Sequence, residues 1–410
     1  MTTPTERAYI LDRSRLVTEA VVANLSTIQQ ARLPCAMPLN GGGGTFVVVG
    51  AGPSLVTAGP WLKRLQEHGA LICTVNTALK KVVEYVEPDV VLCREIVDVS
   101  SHFDTPKPYG MRVLDVGCNP KVFSASLERP GITSWFIPAQ LGYFELAAML
   151  GVRPLYGGSA ALTALVSLVR EWGAGAVILA GVDLAKAADG AGYAPGTAFG
   201  DYHVSESGAV SGKGLEAKAA QHLQGGTQPP TTQMGLRTVE AWGGKGTVQA
   251  MQVYWDQLEW LGTFAERNPS IGLIDASRGG ARKRGWREMD ISCAIEFCTI
   301  TELPWLERPE RARWDMLRAD LDWQIQTTLD VCANVLHPQG FPMGVPNLLR
   351  GTDLVDMAAA KALLQGFESN HTIAEKIQHA YGTAFPDGAK AIHKQLTSWV
   401  TTPASHRTAG

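Results

Sequence analysis

Residues Thr45 to Asn76, TFVVVGAGPSLVTAGPWLKRLQEHGALICTVN, run through strand, small-residue turn, helix and second strand in one short unit. The β-branched run 46–49 has the continuous apolarity of a strand buried on both faces of a parallel sheet. It stops abruptly at Gly50-Ala51-Gly52-Pro53-Ser54. Glycine permits close approach of the backbone to a ligand, proline pre-sets φ for a helix's first turn, and serine can cap the helix or donate to an oxyanion. N–H groups at the start of the following helix then point at an anion. Tight strand-to-helix geometry alone would also account for the glycines. The spacing is not the dinucleotide fingerprint, because the third glycine is missing around Val56, and no Gly-Lys-Ser/Thr follows to make a Walker loop.

The alternation continues down the chain. Strands are expected at 71–75, 90–93, 111–115, 134–136, 176–180 and 272–275, and helices at 61–68, 77–85, 159–172 and 251–267. Such alternation implies βαβ crossovers and a Rossmann-like, doubly wound, mostly parallel α/β sheet. The polar turns that end the strands gather at the carboxyl edge, where open α/β sheets bind ligands. Three parts are expected: a helical arm and linker over 1–43, the Rossmann-like domain over 44–295, and a helical domain over 296–410. Within the second, 188–230 is glycine-rich and polar and reads as a lid-like insertion. In the third, helical spacing recurs over 311–336, 353–368 and 372–381.

Composition narrows the partners. A net charge of -3 argues against a general nucleic-acid surface, and no apolar run approaches the ~20 residues of a membrane helix. The first residues lack a signal-peptide core, so a cytoplasmic protein is expected, with no membrane association. The seven cysteines, at 35, 73, 93, 118, 293, 298 and 332, show neither CxxC pairing nor metal-ligand spacing and read as reduced, mostly buried thiols. No metal site is expected.

Polar groups cluster beside the first loop. Asn76 and Thr77 follow the second strand, where Asn76 is suited equally to a base or ribose and to a helix cap. Arg94 offers a fork matched to phosphate oxygens or to a structural ion pair with Glu95 or Asp98. Gly157, Gly158 and Ser159 open a long helix and suggest either a second anion site or close helix-to-sheet packing. Asp183 ends a buried strand as a candidate catalytic carboxylate or a turn cap. Gly280 lies in SRGGARKR (277–284), whose four basic residues suit a phosphate or a solvated loop. His203, then His222, are the candidate general bases in the insertion.

The set VVVGAGPSL (47–55), NTALKKVVEYVEPDVVL (76–92), YGGSAALTALVSLVREWGAGAVILAGVDLA (156–185) and IDASRGGARKRG (274–285) resembles, in order and spacing, the bacterial motility accessory factor (Maf) family. That family shares its core domain with the archaeal 6-hydroxymethylpterin diphosphokinase, and its fold is similar to that of nonulosonate transferases. The resemblance covers about residues 44–290. It implies a nucleotide-dependent transferase acting on a nucleotide-activated small-molecule donor. The expected activity is glycosyl transfer from a CMP-activated nonulosonic sugar without a required cofactor. The alternatives are diphosphoryl transfer to a pterin using ATP and Mg2+, and a nucleotide-binding scaffold without activity. The acceptor would be a protein or glycan, and self-association of the chain is an open expectation. Carried over residue by residue, Gly50, Gly52, Pro53 and Ser54 would hold the nucleotide phosphate, with Asn76 nearby, Gly158 and Ser159 closing the site, and Asp183 at the family's aspartate. The chain departs from the family at Cys93-Arg94-Glu95, where an aspartate is usual, and at Ala185-Lys186-Ala187.

Overall fold

The computed structural model of the chain describes residues 23–37, 43–139, 152–158, 160–212 and 235–301, with positions 17, 20, 21, 147, 150, 303 and 306. Ser159, His222 and the three helices expected beyond residue 310 lie outside the described residues.

The centre is an eight-stranded sheet in the order β12-β11-β6-β1-β2-β3-β4-β5. Its strands are β1 (Thr45–Val49), β2 (Leu71–Val75), β3 (Val90–Cys93), β4 (Met111–Asp115), β5 (Thr133–Phe136), β6 (Ala176–Ala180), β11 (Gly272–Asp275) and β12 (Arg287–Glu288). Every pairing in it is parallel. β1 is buried along its whole length, as its β-branched sequence requires of a strand covered on both faces.

The helices follow in chain order. They are α1 (residues 23–31), α2 (Leu55–Glu67), α3 (Asn76–Tyr85), α4 (Pro120–Leu127), α5 (Ala161–Glu171) and α6 (Gln252–Arg267). From β1 the chain steps outward through β2 to β5, then returns to place β6 on the other side of β1. Right-handed crossovers running in opposite directions put their helices on opposite faces, which accounts for α2 packing on α3 and α5 on α6. The reversal makes the carboxyl ends of β1 and β6 the topological switch point, the position where such sheets take ligands.

Three local details differ from the sequence expectation. Helix α2 begins at Leu55 rather than at residue 61, because Pro60 lies inside it without ending it. Helix α4 was not expected. Asn119 caps it by accepting from the Lys121 N–H at 3.1 Å, and Pro120 occupies its first turn. The stretch 23–37, expected as an arm and linker leading into the core, packs on it: Leu25, Ile28, Leu33, Cys35 and Ala36 are buried, and Cys35 forms a parallel bridge with Trp135 on edge strand β5. Its apolar residues cover that edge, which would otherwise expose unpaired backbone groups.

Candidate active site

The small-residue turn after β1 meets the end of β6 at the switch point. The Gly50 N–H donates to the Ala180 carbonyl at 2.9 Å and the Gly52 N–H to the Gly181 carbonyl at 2.7 Å. These amides therefore bind protein, not ligand, and they lock the two strand ends together. Gly52 is required for space, since a Cβ there would overlap Asp183 Oδ2.

Ser54 does not cap its helix with its side chain. Its N–H and its hydroxyl both donate to Asp183 Oδ2, at 3.1 and 2.9 Å. A carboxylate of the protein thus occupies the anion position at the start of α2, where the partial positive charge of the helix favours it. Asp183 is 4% exposed, and burial lifts its carboxyl from the usual range to about 6, against the lowering pull of Lys283 and Ser54. Among the described residues its other oxygen, Oδ1, accepts no hydrogen bond. Leu184, directly after it, holds a left-handed φ of 52°, a conformation that branched side chains rarely take.

The segment after β11 fastens Asp183 from the other side. Ser277 Oγ accepts the Val182 N–H at 2.9 Å, and the Ala281 N–H donates to the Asp183 carbonyl at 2.8 Å. Gly280 lies so close that a Cβ would overlap the Asp183 backbone. Lys283, fully buried, stands 3.0 Å from Asp275 Oδ2 as an ion pair and donates to the Ala281 carbonyl at 3.0 Å. Asp275 Oδ2 is left without an aligned hydrogen bond, so the attraction there is mainly Coulombic. The other three basic residues of this turn also have carboxylate partners: Arg278 with Asp290 at 3.5 Å, Arg282 with Glu240 at 2.7 Å, and Arg284 with Glu266 at 3.1 Å. In this structure the basic turn is spent on ion pairs.

Arg94 and the glycine turn before α5 form a second corner. Arg94 Nε sits 2.8 Å from Asp115 Oδ2, and the same guanidinium donates to the Gly158 carbonyl. The structural ion pair is thus with Asp115 at the end of β4, not with Glu95 or Asp98. Gly157 packs 2.9 Å (as a Cβ) from Ala164 Cα, and a Cβ on Gly158 would overlap Thr163, so both glycines serve close packing on α5. Asn76, buried at the start of α3 directly after β2, places Nδ2 3.0 Å from His102 Nδ1.

Residues 188–212 fold back over this edge. The Ala194 N–H donates to the Ala51 carbonyl at 2.8 Å and the Ala198 N–H to the Thr77 carbonyl at 3.0 Å, tying the insertion to the ends of β1 and β2. Phe199 meets His102 edge-on, at 5.7 Å between ring centres, and Tyr193 at 5.6 Å. Tyr193 is hydrogen-bonded to Tyr254 of α6, and the charge of Asp183 opposes ionisation of Tyr254. His203 lies on the exposed face of a short hairpin, β7 (His203–Val204) with β8 (Val210–Ser211), its Nε2 on the Asp189 carbonyl. A second hairpin, β9 (Leu236–Glu240) with β10 (Thr247–Met251), leads into α6.

Sequence reasoning singled out Asp183, Ser54 and the glycines, read Lys283 only as one of four basic residues suited to a phosphate or a solvated loop, and assigned no role to Asp115 or Asp275. The available signal was positional: Asp115 and Asp275 are the last residues of buried strands, and Asp183 follows the end of another.

The arrangement defines an open, parallel Rossmann-like α/β protein with a carboxylate at its topological switch point, one oxygen of which is held by Ser54. Residues 19–189, about two-fifths of the chain, match the family model described as 6-hydroxymethylpterin diphosphokinase MptE-like; the match takes in α1 and the first three of the four motifs and ends before 274–285. The Maf glycosyltransferase from Magnetospirillum magneticum AMB-1 has a similar structure, with a TM-score of 0.58 and 13% identity. The likeness covers 98% of this chain and 61% of that one, so this chain spans about three-fifths of its neighbour's length. No curated protein matches the sequence. No helix among the described residues is long and apolar enough to cross a membrane.

Proposed function

We propose that the protein is a nucleotide-dependent glycosyltransferase that takes its sugar from a CMP-activated nonulosonate. The observation that carries this reading is Asp183: one oxygen fixed by Ser54, the other without a donor among the described residues, at the switch point where the sheet reverses direction. A carboxyl near 6 is a competent general base around neutral pH. In the reaction, the acceptor hydroxyl gives its proton to Asp183 Oδ1 as its oxygen bonds to the anomeric carbon. The bond from that carbon to the phosphate oxygen breaks, and CMP departs with the electron pair. Asn76, Thr77, Arg94, Gly157 and Gly158 lie on the nucleotide side of the site in this reading, with Pro53 in the turn beside it, and Gly50, Gly52 and Gly280 shape it by close packing. His203 is the second candidate base. No metal is required in this scheme, and the acceptor is a protein or glycan.

A second reading, diphosphoryl transfer from ATP with Mg2+, is favoured by the description of the matched family. Incubation with CMP-nonulosonate and mixed acceptors separates the two. The first reading expects metal-independent CMP release that is lost in Asp183→Asn and retained in His203→Gln. Mg2+-dependent AMP formation with a hydroxymethylpterin would establish the second, and nucleotide binding without turnover of either donor would sink both.

A further inference from the structure

Lys283 is the one fully buried ammonium among the described residues, and its surroundings connect it to Asp183 by two routes. Through the backbone, Lys283 donates to the Ala281 carbonyl while the Ala281 N–H donates to the Asp183 carbonyl. Through space, its charge acts on two buried carboxylates, Asp275 at the end of β11 and Asp183 just past the end of β6. Strands β6 and β11 are neighbours in register, Leu179 opposite Asp275, so both carboxylates belong to one sheet edge.

We infer that Lys283 is a positioning residue: held in its ion pair with Asp275 and joined to the Asp183 backbone through Ala281, it sets the charge state of the carboxylate at the switch point. Two anions and one cation share this buried site, so the cation's attraction is divided between them. At low effective dielectric such a division governs which carboxylate is ionised. The other groups facing Asp183 are Ser54 at the start of α2, which stabilises the anion by two hydrogen bonds, and Tyr254 of α6, with Tyr193 behind it. Neither of these is a cation, which leaves Lys283 as the positive charge acting on Asp183 among the described residues.

Two substitutions then act in opposite directions. Lys283→Met removes the attraction and raises the pH at which Asp183 ionises. Asp275→Asn keeps the shape and the acceptor for the Ser277 N–H, removes the competing anion and leaves Lys283 to Asp183 alone, so ionisation moves to lower pH. A general disturbance of packing would not produce opposite signs.

The catalytic consequence rests on the reading of Asp183 as the base, but the electrostatic one does not, so the test reads Asp183 directly. Protein labelled with 13Cγ-aspartate is titrated by NMR, with Asp183 assigned by its absence in Asp183→Asn. The expected result is an upward shift of about one pH unit in Lys283→Met and a downward shift in Asp275→Asn. Unmoved midpoints, or two shifts of the same sign, overturn the inference. If Lys283→Met does not fold, Asp275→Asn alone decides, and the lack of a downward shift overturns it. If the acid limb of kcat/KM fails to follow carboxyl midpoints that do move, Lys283 keeps its role and the base assignment falls.

Discussion

Asp183 and Ser54, 129 positions apart in sequence, share a single oxygen: Asp183 Oδ2 accepts from the Ser54 N–H at 3.1 Å and from its hydroxyl at 2.9 Å. This joint binds the turn after β1 to the turn after β6. Ser54→Ala removes one of the two donors. A hydrogen bond to a charged group contributes about 1.5–3 kcal/mol, so the variant is expected to unfold at lower denaturant and to ionise Asp183 at higher pH. Chemical denaturation checks it, and a midpoint equal to wild type contradicts the joint.

Gly52→Ala tests the same contact from the opposite side. A Cβ at this position overlaps Asp183 Oδ2, and the neighbouring Gly181 carbonyl leaves little room for adjustment. Overpacking of this kind costs about 1–3 kcal/mol, and here it also displaces the carboxylate. Both stability and turnover are expected to fall. A variant with full activity would mean that Asp183 does not need this position.

Stability should depend on pH through Asp183. Its folded-state value of about 6 exceeds the usual carboxylate range. The proton-bound form is therefore favoured by folding: the contribution is fully present below about pH 4 and is lost as pH rises through 6. A shift of about two units corresponds to roughly 3 kcal/mol at most. Asp183→Asn carries no buried charge, so it is expected to be inactive yet more stable than wild type at about pH 8, with the advantage vanishing near pH 4. Unfolding free energies at the two pH values check this, and an advantage independent of pH contradicts it.

Arg94 offers a different kind of test, since its partner Asp115 is buried and the guanidinium also holds the Gly158 carbonyl. Arg94→Leu leaves Asp115 charged and unpaired, a change that costs about 3–5 kcal/mol. Arg94→Leu combined with Asp115→Leu should recover much of that loss, because the uncompensated charge is gone. If the double variant is no more stable than the single one, the pair has no such role.

The strands were legible because burial on both faces demands unbroken apolar runs, as in Val47-Val48-Val49 and Val90-Val91-Leu92. The candidate carboxylate was legible for a related reason, since Asp183 ends such a run. What joins it to Ser54 was not, because the contact depends on β6 returning beside β1 after four intervening strands. Lys283 was hidden by its company: between Arg282 and Arg284 it reads as one more solvated charge, and only the fold turns it inward while its neighbours stay at the surface. The start of α2 was obscured by Pro60, and the edge-covering part of the N-terminal stretch by the Pro34 and glycine-rich sequence around it.

The most direct test is a crystal structure of the protein with CMP bound. Density for the phosphate beyond the carboxyl ends of β1 and β6, near Asp183 and flanked by Asn76 and Gly157-Gly158, is the expected result. Ordered CMP bound away from that position would contradict the assignment of the site and, with it, the role given to Asp183.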